Sequence, residues 1–522
     1  MAKRLFLSLL FGLLLLSTPS YAIAQSQSLS EAKQLHEETK GSAMGKGDNG
    51  NDETPGEWFV GETPTNPIPD APLLLFVPGL NNVAQVFWED GGLYEAAFEA
   101  GYETVFIQLH DAGGASADMW DNGKLLAEKI TEISDQFQGK PITIIAYSKG
   151  GVDAQAAATY YGAWQYIDRI ITLSSPHHGS ELADLANSSW AGWLAELLGM
   201  RGEGTSAVET GYMEHFRSLT DEETYAYVND YYTLGGTDWG SVFSSTWFGG
   251  MYLSSYGDND GVVTTVSSRL PKGEEVAIGD WNHTSIRSNR IFPIIQDDVL
   301  QGNNPSRDYL IYKKQISKTA KTEQYVHGDA LRNNKAEKHL FPIEDAIDKV
   351  NIQLYTANPL QRVELIDPNG KVYDDVQVTQ QEGGFFAGAT GYHIQINQPS
   401  AGEWSLKMRS EKKNAYLLHG QYDKAIQKQI LSETQDRGSD SKWKTNKKQV
   451  KEESIEVHYT IVESGQQIPV VTATSKGLPL LSKEFSQLKK NRSYNITMDI
   501  NGETISGSPF KRTVVDSVYL SE

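Results

Sequence analysis

Cysteine is absent from the 522 residues. That single absence excludes disulfides, thiol catalysis and a lipoprotein anchor. Basic residues are also scarce, with 46 Lys and Arg against 67 Asp and Glu, a formal net charge of -21. So acidic a chain is a poor partner for nucleic acid and suits a soluble, exposed surface. Long apolar runs are missing too: the stretch from Leu5 to Leu16 stands alone, short of the roughly 20 residues that cross a bilayer. No integral membrane span is therefore expected.

What is present fits a globular, multi-domain protein. Hydrophobic residues make up 39% and aromatics 10%, enough for large cores, and the length suits two to four domains. Lys3 and Arg4 precede the apolar run, and Ala22-Ile23-Ala24 follows it. A basic region, an apolar region and an A-x-A site make residues 1–24 a signal peptide cleaved after Ala24. The mature protein is then expected to be secreted or periplasmic and free of the membrane.

Residues 25–68, with GKGDNGNDETPGE at their centre, read as a polar, disordered leader. Over 69–302, apolar strands alternate with helical stretches: LLLFV, TVFIQL, ITII, IITLSS, YYTLGG and EEVAIG are the strands, and IRSNRIFPIIQDDVL is a final helix. Alternation of this kind implies an α/β domain, a mostly parallel sheet covered by helices on both sides. The remainder has another character. KVNIQLYTA alternates, GYHIQINQPSAGEWSLKMRS gives two strands about a turn, and NITMDINGETISG reads as a hairpin about Asn501-Gly502. These signals predict one or two β-sandwich modules, at 341–425 and 451–522, with linkers at 303–340 and 426–450.

ITIIAYSKGGVDA is the stretch that carries chemistry. A buried strand stops at Ser148, and a helix-forming run begins at Gly150. So tight a turn presses the positions two before and two after its tip together, and Ala146 and Gly150 are both small. This is the geometry of a nucleophile elbow. An exposed serine there needs a base, an orienting acid and an oxyanion hole. On a doubly wound sheet they come from later loops at the same edge. GDNDGVV supplies Asp260, rooted by the apolar Val262-Val263, with Asp258 as the alternative acid. GDWNHTSIR supplies His283, with Asp280 read as a turn residue. The order Ser, Asp, His is the one expected of this architecture. FVPGLNN places a glycine-containing turn after the first strand. Backbone N–H groups of Leu80 and Lys149 are assigned to the hole, with the Lys149 side chain directed to solvent.

These residues, with SSPHHGS and the late Trp281-Asn282-His283, resemble the secreted bacterial lipases and esterases of the α/β-hydrolase fold. The resemblance spans about Pro69 to Gln301 and does not reach the β-modules. It implies Ser148 as nucleophile, Asp260 as orienting acid and His283 as base. Two positions depart from the family pattern: Ala146 stands where glycine is commoner, and Pro78-Gly79 where His-Gly is usual.

Other features have plainer readings. His177 and His178 have no second cluster to complete a metal site and are read as structural. GDNDG lacks the downstream Glu of an EF-hand loop, so it leaves room for a structural calcium without supporting one; no cofactor is expected. SSWAGWLAELLGM and GTDWGSVFSSTWFGGMYL are rich in aromatics, and are either lids or acyl pockets or else simply core packing. The functional expectation is a carboxylic ester hydrolase acting on a lipid or other apolar acyl ester, its β-modules binding a polymer or surface. Two alternatives stand beside it: an adhesion protein using the hydrolase fold as scaffold, and an amidase or acyltransferase with the same three groups.

Overall fold

The computed structural model describes residues 33–34 and 53–522, apart from 114–115, 199–200, 243, 301–322, 382–387, 424–428, 434–442 and 480. The expected signal peptide, most of the expected leader and about half of each expected linker lie outside the described residues.

The N-terminal domain is built on an eight-stranded sheet: β1 (Lys33–Gln34), β2 (Trp58–Val60), β3 (Leu73–Val77), β4 (Thr104–Ile107), β5 (Ile142–Tyr147), β6 (Ile167–Leu173), β7 (Asp230–Gly236) and β8 (Glu274–Gly279). Their spatial order is β1-β2-β4-β3-β5-β6-β7-β8. From β4 to β8 all neighbours are parallel, while β2 runs antiparallel to β4. Two separate cores follow from alternation of side chains across the strands. Leu74, Phe76, Phe106, Ile145 and Leu234 pack on one face, with Leu93 and Ala97 of α1 (Leu93–Glu99). Leu73, Leu75, Val77, Ile142 and Ile144 pack on the other, against Leu126, Ile130 and Ile133 of α2 (Met119–Gln136).

Two expectations at the domain's ends are corrected. The leader was expected to stay outside the fold, yet Trp58–Val60 extends the sheet and the Trp58 ring is buried. An apolar W-F-V triplet has more to gain on an open sheet edge than in water. The final helix also begins later than expected, at Phe292–Pro293, because Pro fits the first turn of a helix and not its interior.

The first β-module is a sandwich of two sheets. One holds β10 (Ala336–Ile343), β12 (Arg362–Ile366), β13 (Val372–Tyr373) and β16 (Gly402–Arg409), in the order β10-β16-β12-β13. Facing it is β14-β15-β11-β17-β9, made of β9 (Glu323–Leu331), β11 (Lys349–Thr356), β14 (Gln377–Gln380), β15 (Thr390–Asn397) and β17 (Asn414–Asp423). Trp404, Tyr325, Phe341 and Leu354 lie in its core. Residues 323–340 were expected to be linker; they are instead strands of this module, and the mixed, charged surface of β10 disguises a half-buried edge. A short pair, β18 (Leu431–Glu433) with β19 (Trp443–Thr445), precedes the second module. That module is one antiparallel sheet, β21-β20-β22-β23, from β20 (Glu456–Glu463), β21 (Pro469–Lys476), β22 (Arg492–Glu503) and β23 (Pro509–Leu520). The hairpin does not turn at Asn501-Gly502. Those residues stay in the ladder opposite Lys511 and Phe510, and the chain reverses near Gly507, whose φ is 88°. A Cβ on Gly502 would lie 2.9 Å from the Phe510 ring, so this glycine serves packing and not a turn.

Candidate active site

The elbow begins where β5 ends. Ser148 follows Tyr147 directly and has a φ of 54°, and α3 (Gly150–Tyr160) starts two residues on. A left-handed residue with a Cβ carries strain of about 1–3 kcal/mol, which the surroundings must over-determine. They do so: the Ser148 N–H donates to the Leu173 carbonyl at 2.9 Å, continuing the ladder past the strand's end. Glycine is needed at 150 because a Cβ there would meet the Pro78 carbonyl oxygen at 2.4 Å. The partner in that close approach is therefore the loop after β3, and not Ala146 as local spacing implied. Gly79 is constrained from the other side, since its Cβ would stand 2.7 Å from the Ser148 Cβ. The two short glycine motifs are thus one contact between the elbow and the Pro78–Leu80 turn.

His283 and Asp260 reach the same point. His283 Nε2 lies 3.0 Å from Ser148 Oγ, and His283 Nδ1 lies 2.7 Å from Asp260 Oδ2. The other Asp260 oxygen accepts from the N–H groups of Val262 and Val263 at 2.9 and 2.8 Å. Its exposure is 0%, so those two donors, together with the histidine, replace the water a carboxylate would otherwise need. The His283 N–H donates to the Asp260 carbonyl at 2.9 Å, which ties the two loops along the backbone as well. The His283 ring packs on Tyr147 with centroids 5.0 Å apart. Burial raises the Tyr147 hydroxyl pKa well above its ordinary value, leaving a neutral, apolar wall beside the imidazole. Of the two candidate acids, Asp260 is the one bonded to His283; the Asp258 carbonyl accepts from Thr265 N–H at 2.8 Å within the same loop. Asp280 is exposed. Ser148 and His283 keep 9% and 7% exposure, a small opening onto the serine.

Among the described residues, neither the Leu80 N–H nor the Lys149 N–H donates to a protein acceptor. Both flank the place where Gly79 packs on Ser148, as an oxyanion hole would require. The Lys149 side chain does not point to solvent as expected. It is 1% exposed, with Nζ 2.8 Å from Asp153 Oδ1 and 3.6 Å from Asp111 Oδ2. Nothing in the AYSKGG motif signals this, because Asp153 and Asp111 are brought in by the helix and by another strand's loop.

His177 is fully buried, its Nε2 3.2 Å from Thr172 Oγ1. Burial, with Arg217 and His178 nearby, holds its pKa well below the ordinary histidine value. Among the described residues no cluster of three His, Asp or Glu forms that could hold a metal.

The two aromatic connections have a role that sequence reasoning missed. The first, 188–200, holds Trp190 and α5 (Gly192–Leu197), between α4 (Glu181–Asn187) and the pair α6 (Glu203–Ala207) and α7 (Thr210–Thr220); the second contributes α8 (Ser245–Leu253). Trp190 stacks on His327 of β9 at 4.4 Å, and Phe248 meets Tyr355 of β11 edge-on at 5.1 Å. Gln421 of β17 donates to the Met251 carbonyl at 2.7 Å. Aromatic richness here marks the joint with the first β-module. The same helix α8 backs the acid loop, since a Cβ on Gly249 would meet the Gly261 carbonyl at 2.0 Å.

A parallel sheet with a serine elbow, followed by antiparallel β-modules, defines a bacterial lipase/esterase of the α/β-hydrolase fold with a C-terminal β-rich region. A crystal structure of Bacillus licheniformis lipase BlEst2 in propeptide form is 30% identical, covers 90% of this chain and 98% of its own, and superposes with a TM-score of 0.76. The chain belongs to the family of that lipase. The mature form of the same lipase is 41% identical over 47% of this chain and 98% of its own, with a TM-score of 0.44. Residues 325–422 match the family described as Hemicentin galactose-binding domain-like. No curated protein matches the sequence.

Proposed function

We propose that the protein is an exported serine hydrolase that cleaves carboxylic esters through an acyl-enzyme on Ser148. The observation that carries this reading is the hydrogen-bonded line from Asp260 Oδ2 through both His283 nitrogens to Ser148 Oγ, with steps of 2.7 and 3.0 Å. Ser148 Oγ attacks the ester carbonyl carbon while His283 Nε2 takes its proton. The carbonyl oxygen, now negative, is met by the N–H groups of Leu80 and Lys149. The C–O bond to the alcohol breaks as His283 returns the proton to the departing oxygen. Water then repeats the sequence on the acyl carbon and releases the acid. Asp260 keeps the imidazole in the tautomer that leaves Nε2 free to accept, and stabilises the imidazolium once it forms.

Hydrolysis of p-nitrophenyl esters from acetyl to palmitoyl tests the reading, with the full chain and with Ser148→Ala. Turnover lost in the variant is the expected result, and the chain-length optimum then gives the acyl class. Equal turnover in both proteins would overturn it.

The β-modules favour a second statement. The match of 325–422 to a galactose-binding-like domain supports a surface- or carbohydrate-binding role for the first module. The neighbour of equal extent is a propeptide form, which supports reading the present chain as a precursor as well. Retention of the full chain on galactose-containing resin, competed by free galactose, would test the first. Mass spectrometry of the secreted product would test the second: a fully active chain uncut beyond the expected signal-peptide site speaks against processing.

A further inference from the structure

Lys149 is the residue after the nucleophile, and its ammonium enters the protein interior. An unpaired ammonium there would be costly, so its position has to be made by its partners. Nζ is bonded to Asp153, one turn along α3, at 2.8 and 3.1 Å to its two oxygens. Asp111, in the segment after β4, stands 3.6 Å away. Asn122 of α2 bridges both acids, donating to Asp111 at 2.6 Å and to Asp153 at 3.2 Å, while its own carbonyl oxygen accepts from His110 N–H at 3.1 Å. One side chain thus ties the elbow to α3, to α2 and to the loop of a strand two places away in the sheet.

We propose that the Lys149 side chain is a positioning group for catalysis: clamped by Asp153 and Asp111, it fixes the elbow so that its own backbone N–H faces the oxygen of the reacting ester. The proposal rests on the reading of Ser148 as nucleophile. Three features carry it beyond an ordinary buried ion pair. The anchored residue is itself one of the two hole donors. It adjoins a serine held at a φ of 54°, a backbone that relaxes if released. And it sits at the N-terminus of α3, where N–H groups point outward and the helix dipole favours negative charge. Burial works against the ammonium, but Asp111 and Asp153 outweigh it and hold its pKa above the ordinary lysine value, so the ammonium stays charged. Asp153 is pushed up to about 7 by burial, with the attraction of Lys149 opposing the rise.

The test compares Lys149→Met with the unaltered full-length protein. Two quantities are read: steady-state constants on a p-nitrophenyl ester, and inhibition by an alkyl boronic acid, whose tetrahedral adduct on Ser148 places an oxygen in the hole. A misplaced donor is expected to lower kcat by about 10- to 100-fold, with KM little changed. Boronate affinity should fall by a similar factor. A merely structural lysine would lower thermal stability and leave the folded enzyme's kcat and boronate affinity alone; that result overturns the proposal. Should Lys149→Met fail to fold, Asp111→Asn decides, because it keeps the Asp153 bond and loosens the clamp. A smaller parallel drop in kcat and boronate affinity supports the proposal, and unchanged values overturn it. Ser148→Ala separates the two readings: wild-type turnover in that variant removes the nucleophile assignment, whatever Lys149 does.

Discussion

Two buried polar assemblies in this molecule look alike in composition and differ in how they are made. At the proposed catalytic centre Ser148 and His283 are 135 residues apart and Asp260 is 23 from His283, all within one domain. Where the second β-module meets that domain, Asn495 of β22 donates to the Asp184 carbonyl and to Glu209, across 311 and 286 residues. Ser517 of β23 accepts from Gly211 N–H at 2.7 Å, beside Thr210, which donates to both Asp184 oxygens. The Asp260 carboxylate has a donor for each oxygen. Asp184 likewise has a donor for each oxygen, but it lies in the interior beside Glu209, whose Oε2 has no hydrogen-bond partner among the described residues. Burial, and for Glu209 the neighbouring Asp184, pushes them up to about 7 and about 8. Asp516 on β23 adds to the rise at Asp184, and Arg201 is the cation that senses Glu209. A reacting site has to have its polar groups satisfied before substrate arrives; a joint can take up protons as it closes.

The largest expected effect breaks the first assembly alone. Ser148→Ala should lower ester turnover by about 10⁴-fold or more. Its thermal unfolding should match the unaltered protein, because only one hydroxyl is lost.

Next comes the contact between the two β-modules. Arg512 of β23 is fully buried, with Nη2 3.1 Å from Glu323 and also bonded to Glu344. Arg512→Met leaves two buried carboxylates without their cation and should cost about 3–5 kcal/mol. Urea unfolding followed by tryptophan fluorescence would show it, ideally as an early C-terminal transition.

The pH dependence of the joint is smaller and has a definite sign. For Asp184 and Glu209 the docked pKa lies above the undocked one. Their contribution is therefore complete below the ordinary carboxylate range and is lost as pH rises toward about 8. His327 and His339, held down to about 3 and about 4 mainly by burial, contribute in the opposite direction, but only below their ordinary value of 6.5. Between about pH 6.5 and 8 the urea midpoint should thus fall with pH, and Asp184→Asn with Glu209→Gln should flatten it. A midpoint that falls equally in the double variant would contradict this assignment.

How much of this was legible follows from the range of each interaction. The β/α alternation and the elbow are written in consecutive residues, since a strand, a tight turn and a helix each need only local patterning. Asp260 and His283 could be found because strand ends on one edge of a parallel sheet limit where partners can come from. The Lys149 side chain was misread because its partners come from the far end of a helix turn and from another strand's loop. Asn501-Gly502 was misread for a similar reason: Asn-Gly specifies a turn in isolation, and a phenylalanine across the ladder, Phe510, makes better use of that glycine within the strand. The aromatic connections carried a real signal, burial, without its direction. No local pattern could say that Trp190 and Phe248 face β9 and β11.

The sequence by itself determined the class of domain, the nucleophile candidate and the order of its partners, because those depend on periodicity and on turns closed within a few residues. Tertiary structure alone decided which glycine meets which carbonyl, where the Lys149 ammonium goes, and which carboxylates are buried at the joint. Those outcomes depend on close packing between segments tens to hundreds of residues apart, where a single ångström separates a hydrogen bond from a clash.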